Sequence, residues 1–191
     1  MAQNRMEVSA GFLLLAAWLN YWDGQGVFPQ VLLACVLHEL GHLLALRWLG
    51  VPIEKVRITA VGAEIRVAGS LSYRGELAAA LAGPAVNLVL AGWLSGMSGG
   101  AVGAGVNLVL GLFNLLPVGR LDGGRVLSCV LALLFGPELG ERVSWLISWL
   151  CVVLLSAAGI WVLWLGGNGS LLMVSLWLAI SMSEFGGKRG K

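Results

Sequence analysis

Long apolar stretches alternate with short polar or glycine-rich segments along most of the chain. A helix needs about 20 mostly apolar residues to cross the hydrocarbon core of a bilayer. Six stretches approach that length, and they predict membrane-spanning helices at Ser9–Trp22, Phe28–Leu49, Glu76–Ser95, Ala101–Pro117, Val143–Leu165 and Ser170–Glu184. The first and last are short, so matching a bilayer would require thinning, flanking residues or burial against neighbouring helices. Val126–Phe135 is too short to cross alone and predicts a half-helix that follows a break.

The segment between the second and third stretches has a different period. Val56 and Ile58 alternate with Arg57, and beyond Gly62 the apolar Ile65 is followed by Arg66. Period-two alternation on both sides of a glycine predicts a short β-hairpin, with an irregular loop as the competing interpretation. The predicted fold class is therefore an all-α polytopic membrane protein with about six transmembrane helices and this hairpin. We expect residues 1–191 to form a single membrane-embedded domain.

Composition supports a membrane protein. Hydrophobic residues make up 58% of the chain and charged residues only 12%, whereas soluble domains carry roughly 25% charged residues. The net charge of +2 is small and the basic residues are scattered, which argues against a nucleic-acid partner. The expected surroundings are the lipid bilayer.

The basic residues also predict an orientation. Apart from Arg47, within the second stretch, they lie at Arg5, in the 50–75 segment, in the 118–142 region and in the C-terminal tail. The segments at 23–27, 96–100 and 166–169 contain no Lys or Arg. Because basic residues favour the cytosolic side, we expect a multi-pass protein of the cell membrane with both termini in the cytosol. No small-residue cleavage site follows the first apolar stretch, which we therefore interpret as a retained span.

The second predicted span contains His38-Glu39-Leu40-Gly41-His42, and these are the only two histidines in the chain. Ionisable groups inside a membrane are costly, so their presence indicates a function. The pattern H-E-x-x-H places two imidazoles on one helix face, where they can share a zinc ion, and places the glutamate as general base. Without its membrane context the pattern is only a modest signal.

A catalytic zinc site usually has three protein ligands and one open position. A third histidine is absent from the sequence, so we expect a carboxylate or a thiolate as the third ligand, and Asp122 is the strongest candidate. It follows Pro117 and precedes Gly123 and Gly124, which predicts a broken helix that carries an aspartate into the helix bundle. A helix-capping role is the competing interpretation of Asp122. Three loop carboxylates are weaker candidates for the third ligand, Glu64, Glu138 and Glu141.

Three motifs together resemble those of the site-2 protease family (M50), the intramembrane zinc metalloproteases. His38 to His42 matches the family's zinc-binding helix, and Gly83-Pro84-Ala85-Val86-Asn87 is similar to its Gly-Pro-x-x-Asn element. Asn114 through Gly124 resembles its second signature, which ends in Leu-Asp-Gly. The resemblance extends over about Phe28–Leu127. Within the family, the chain is similar in particular to the compact bacterial branch that includes stage IV sporulation protein FB. No PDZ or CBS domain is evident, and Val118-Gly119-Arg120 replaces a stretch that is often proline-rich in the family.

The resemblance implies specific roles. His38, His42 and Asp122 would bind Zn²⁺, and Glu39 would take a proton from the zinc-bound water and pass it to the leaving amine. Asn87 and Asn114 would bind substrate as hydrogen-bond donors to its backbone or to the oxyanion. The implied activity is regulated intramembrane proteolysis of a membrane-tethered protein, such as a transcription or sigma factor precursor. A regulatory membrane partner and a homo-oligomer remain open.

Two other functions compete with the protease. The same His, Glu and Asp cluster could form a proton or metal relay in a membrane transporter, although the inverted repeat of broken helices common in transporters is not found in the sequence. A catalytically inactive relative acting as a binding partner is the second, and the intact Glu39 argues against it. For Asn87, a hydrogen bond between helices is as good an explanation as a substrate contact.

Overall fold

The structure is a computed structural model that describes residues 6–59 and 62–187. The chain divides into two compact units, Met1–Phe113 and Asn114–Lys191. The first unit contains helices α1 (Ala10–Trp22), α2 (Val27–Trp48), α3 (Tyr73–Ser95) and α4 (Ala101–Asn114). The second contains α5 (Asp122–Phe135), α6 (Pro137–Trp164) and α7 (Ser170–Gly187). Arg5 and the basic tail, which contribute to the predicted orientation, lie outside the described residues.

Polar side chains cap helices α1, α2 and α3. Ser9 and Ser72 cap α1 and α3 with their hydroxyl oxygens. Asp23 precedes α2 and accepts hydrogen bonds from the backbone N–H groups of Val27 at 3.0 Å and Phe28 at 2.8 Å. Partial desolvation raises the pKa of Asp23, but these donors outweigh it and hold the pKa below its usual value. The negative charge therefore stabilises the start of α2.

Three strands form one sheet in the order β1-β2-β3, with bounds Met6–Val8, Ile53–Thr59 and Gly62–Val67. Strands β2 and β3 are antiparallel, with Val56 opposite Ile65, which confirms the predicted hairpin. Strand β1 pairs in parallel with the other side of β2, with Met6 opposite Val56. The central strand of the sheet is therefore β2.

The third strand is a correction to the predicted fold, which had only a hairpin. β1 is three residues long, too short to show alternation in the sequence. Its partner lies about 50 residues further along the chain, so no local turn signal links the two strands. An ion pair joins them, because Lys55 Nζ lies 2.7 Å from Glu7 Oε1. This hydrogen-bonded ion pair lowers the pKa of Glu7.

Several predicted helix ends were wrong by three or more residues. α4 ends at Asn114 rather than Pro117, because a proline disfavours helical geometry in the residue before it. α5 begins at Asp122 rather than Val126, and α6 begins at Pro137 rather than Val143. Polar and charged residues in these first turns obscured the helices in the hydropathy pattern. The predicted break between two helices is confirmed, and Asp122 lies at its end.

Glycines allow close helix packing in both units. A Cβ on Gly41 of α2 would lie 2.8 Å from the Ala82 carbonyl oxygen of α3. In the second unit, a Cβ on Gly140 would lie 2.6 Å from the Ala132 nitrogen of α5. Real Cβ atoms do not come so close to other atoms, so these helix contacts require glycine. Small residues at helix contacts are typical of membrane bundles.

Three helices in the described part of the chain are long and apolar enough to cross a membrane, namely Phe28–Trp48, Tyr73–Ser95 and Pro137–Trp164. Shorter apolar helices lie at Ala10–Trp22, Ala101–Asn114 and Ser170–Ser183. Large apolar side chains also face outward along α6, where Leu146, Leu150 and Leu154 are each about 60% exposed. Contiguous exposed apolar surface of this kind is typical of a lipid-facing helix.

Candidate metal centre and active site

The two histidines lie side by side in the interior of the first unit. His38 and His42 are one helical turn apart on α2, and both are buried. Their Nε2 atoms are 3.1 Å apart. This confirms the geometric part of the motif interpretation, because the i, i+4 spacing brings two nitrogen ligands together.

A backbone carbonyl sets the protonation of His42. Its Nδ1 lies 2.7 Å from the Ala79 carbonyl oxygen of α3. A carbonyl can only accept, so Nδ1 must carry the proton and donate it. In the neutral ring, Nε2 is then left with a lone pair that can bind a metal.

An asparagine side chain sets the protonation of His38. Its Nδ1 lies 2.5 Å from Asn87 Oδ1. The amide nitrogen of Asn87 donates to the Ala34 carbonyl at 3.2 Å and to Asn107 Oδ1 at 2.9 Å. This network assigns Oδ1 to the side that faces His38, so His38 Nδ1 is the donor and Nε2 again keeps its lone pair.

The paired Nε2 atoms fit a zinc ion. Two lone pairs facing each other at 3.1 Å repel unless a cation or proton lies between them. Two nitrogens bound to one zinc at 2.0–2.1 Å with tetrahedral geometry are about 3.4 Å apart. The observed separation is within a few tenths of an ångström of that value, so the pair needs only a small adjustment to bind zinc.

Gly83 lets the backbone of α3 pack directly against this pair. A Cβ at this position would lie 2.6 Å from His42 Cε1 and 2.8 Å from His38 Nε2. Any side chain on residue 83 would therefore collide with both imidazoles. The glycine of the Gly-Pro-x-x-Asn element thus has a physical reason, since α3 approaches the two imidazoles with bare backbone.

Glu39 follows His38 on α2 and is half-buried. Its carboxylate is carried by the same rigid helix as the two imidazoles. That position suits a general base, which must be held near the reacting water.

Asp122 is the first residue of α5 in the second unit and is 8% exposed. Its Oδ1 lies 3.5 Å from Arg125 Nη1. Leu121 occupies the N-cap position, so Asp122 is not the N-cap residue of α5. Gly123 and Gly124 lie against the backbone of residues 115–119, which keeps the preceding loop tight. A buried carboxylate at a fixed helix start is a suitable metal ligand.

The remaining asparagines lie at different depths. Asn114 is the last residue of α4 and is half-buried. Asn107, in the middle of α4, is 5% exposed and bonds to Asn87. Sequence reasoning gave Asn107 no functional role, although an amide in the middle of an apolar helix was a usable signal. Glu64, Glu138 and Glu141 lie in β3 and in the first turns of α6.

Comparison with known proteins supports the family resemblance. Residues 100–158 match the family model described as Peptidase family M50. The zinc metalloprotease MJ0392 of Methanocaldococcus jannaschii is 31% identical over 121 residues, which cover 58% of this chain and 35% of that protein. The candidate zinc metalloprotease Rip3 of Mycobacterium tuberculosis is 35% identical over 145 residues, covering 63% of this chain and 34% of that protein. The chain thus spans about a third of the length of these curated relatives.

A solved structure gives the fold. The site-2 protease from Methanocaldococcus jannaschii matches with a TM-score of 0.69 and 24% sequence identity, covering 96% of this chain and 92% of that chain. Residues 100–158 of the chain therefore match the Peptidase family M50 model, and the chain has the fold of this site-2 protease. This confirms the recognition made from the three motifs. The finer resemblance to the sporulation branch stays a prediction.

Proposed function

We propose that this chain is an intramembrane zinc endopeptidase that hydrolyses peptide bonds of membrane-tethered proteins in or near their transmembrane segments. The observation that carries the proposal is the pair of buried imidazoles whose Nε2 atoms lie 3.1 Å apart, each with a hydrogen-bond acceptor at its Nδ1. A proton relay would have no need for both rings to be held in the metal-binding tautomer. The names of the relatives also favour the protease, since none of those reported above is a transporter.

The proposed ligands are His38, His42 and Asp122. Zinc, when bound, lowers the pKa of a water molecule to about 7 and polarises the scissile carbonyl. Glu39 accepts the proton of the attacking water and passes it to the leaving amine. Asn114 donates a hydrogen bond to the substrate backbone or to the oxyanion. These proposed ligands and catalytic residues come from both units. A single catalytic domain over residues 1–191 is therefore part of the proposal.

We also propose six membrane crossings with both termini in the cytosol. The parallel pairing of β1 with β2 supports the first two crossings. Because one strand precedes α1 and the other follows α2, the two helices must lead away from the sheet and return to it. α1 has 13 residues, about 20 Å of helix, so this pair would cross only with local thinning of the bilayer.

Water would reach the site from the cytosolic end of α2. His42 lies six residues before Trp48, the last residue of that helix, which is about 9 Å along the axis. A shallow site would solve the shortage of water inside a membrane. Intramembrane hydrolysis at this depth is thus physically reasonable.

The hairpin offers a way to hold an unwound substrate. In the described part of the chain β1 and β3 each pair only with β2, and β3 is the longer edge strand, with six residues against three. An extended peptide would therefore add to β3 by β-augmentation. Ile65→Pro in β3 should reduce cleavage while zinc content stays unchanged. Full cleavage by this variant would count against β-augmentation.

The first test is zinc content of the detergent-purified protein. Wild type should hold about one zinc per chain, and both Asp122→Ala and the His38→Ala/His42→Ala double variant should lose it. A folded wild-type protein without bound metal would refute the zinc-site proposal.

The second test separates the protease from the relay. Glu39→Gln should keep zinc and lose cleavage of a single-pass reporter that carries an epitope tag on each side of its apolar segment. Glu138→Gln, an exposed change at the start of α6, is the matched control and should cleave like wild type. Cleavage by Glu39→Gln at the wild-type rate would exclude the role of general base.

A further inference from the structure

The hydrogen-bonding capacity of Asn87 is already used inside the first unit. Its side chain is completely buried. Both amide protons are donated, one to the Ala34 carbonyl at 3.2 Å and one to Asn107 Oδ1 at 2.9 Å. Its Oδ1 accepts from His38 Nδ1. An asparagine amide has only two protons, so Asn87 has none left for a substrate.

Asn107 decides which way the amide of Asn87 points. Asn107 Nδ2 donates to the Gly103 carbonyl at 2.9 Å, so its own Oδ1 is turned toward Asn87. Because that oxygen can only accept, the NH₂ group of Asn87 must face it, and the Oδ1 of Asn87 then faces His38. The orientation of the Asn107 amide on α4 therefore fixes the orientation of the Asn87 amide on α3. The Asn87 amide in turn orients the imidazole of His38 on α2.

The two histidines differ in what holds them. His42 is held by the main-chain carbonyl of Ala79, and no substitution of residue 79 removes that carbonyl. His38 is held by a side chain that a single substitution can remove. Partners of this kind orient metal-binding imidazoles and typically change metal affinity 10–100-fold when lost.

We propose that Asn87, oriented by Asn107, is a positioning residue that holds His38 with Nδ1 protonated and Nε2 directed at the metal. This role replaces direct substrate contact by Asn87 and rests on the proposed zinc-dependent function. It gives Asn107 a defined part in the site, although Asn107 touches neither metal nor substrate. The proposal requires zinc affinity, rather than substrate affinity, to depend on both amides.

The test measures zinc affinity by chelator competition in detergent-purified protein. Asn87→Leu removes the acceptor with little change of volume and should weaken zinc binding about 10–100-fold. Asn87→Asp keeps an acceptor for His38 and should restore most of that loss. Asn107→Leu, which only frees the Asn87 amide to turn, should weaken binding by a smaller factor. Ser175→Ala, a fully buried polar site on α7, controls for general loss of buried hydrogen bonds and should bind zinc like wild type.

Histidine NMR gives a second readout that does not depend on cleavage. With only two histidines in the chain, ¹⁵N-histidine labelling of zinc-loaded protein yields two imidazoles. Both should show a slowly exchanging Nδ1–H. In Asn87→Leu the signal of His38 should be lost, while that of His42, bonded to the Ala79 carbonyl, should remain as an internal reference.

The outcomes separate this inference from the function on which it rests. Wild-type zinc affinity in Asn87→Leu, accompanied by a raised KM for the reporter, would restore the substrate role and overturn the inference alone. An unprotonated Nδ1 on His38 in wild type would also overturn it. A wild-type protein that binds no zinc would overturn both the proposed function and the inference.

Discussion

Replacing Gly83 by alanine tests the site at the point where α3 meets the two imidazoles. The new Cβ would lie 2.6 Å from His42 Cε1 and 2.8 Å from His38 Nε2, whereas ordinary contacts begin at 3.4 Å. His42 Nε2 would be closer still, so the ring and the helix must separate by more than about 0.8 Å, while ligand distances in a functional metal site vary by only about 0.2 Å. We expect zinc binding to weaken by about 100-fold, the upper end of the effect of losing an orienting partner, which corresponds to roughly 2.7 kcal/mol.

The matched control is Gly92→Ala on the same helix, where a Cβ would meet nothing within 4 Å. Both substitutions gain the same intrinsic helix propensity, about 1 kcal/mol, so any difference between them comes from the surroundings. Zinc affinity by chelator competition is the assay, with circular dichroism as the folding check. Equal zinc affinity in the two variants would refute the argument that the arrangement of the two imidazoles requires bare backbone at residue 83.

Two further predictions concern stability and the loop before Asp122. Asp23→Asn should lower the thermal stability at neutral pH, because the charged cap of α2 is lost. Since the pKa of Asp23 is depressed below its usual 3.8, its contribution is present above that pH and disappears as the pH falls through the folded-state pKa. The melting-temperature difference from wild type should therefore shrink below about pH 4, and a constant difference would contradict the cap argument. Gly123→Ala should destabilise the second unit by about 1–3 kcal/mol and abolish zinc binding, because its Cβ would overlap the Leu115 carbonyl. Gly119→Ala is the control, because its Cβ would meet only Ser148 Oγ at 4.0 Å, and it should have the melting temperature and zinc affinity of wild type. Similar losses of stability and zinc binding in the two variants would contradict the argument from the Leu115 carbonyl and show that the loop tolerates no change at all.

The features that sequence could predict are those with a local physical signal. The i, i+4 spacing of His38 and His42 is enough to bring two nitrogens together on any helix. The hairpin follows from alternation around Gly62, and the break follows from Pro117. In each case the residues that carry the signal are close together in the chain, so no knowledge of the tertiary structure was needed.

The features that sequence missed depend on distant parts of the chain. Strand β1 is defined only by its pairing with β2. The role of Asn107 depends on Asn87 and, through it, on His38. Asn87 itself shows the difference, because the motif identifies the residue but its hydrogen-bond partners decide what it does. The start of α5 was missed because glycines and charges in its first turn lower the local hydropathy.

The parallel pairing of β1 with β2 also orders events during biosynthesis. Residues 6–8 leave the ribosome first, but their partners at 56–58 follow only after α1 and α2 have been made. A parallel pair always needs such a crossover connection, and here the connection is the helical hairpin itself. The sheet therefore closes only after both helices have been synthesised, and its closure joins the two ends of the helical hairpin that carries the two histidines.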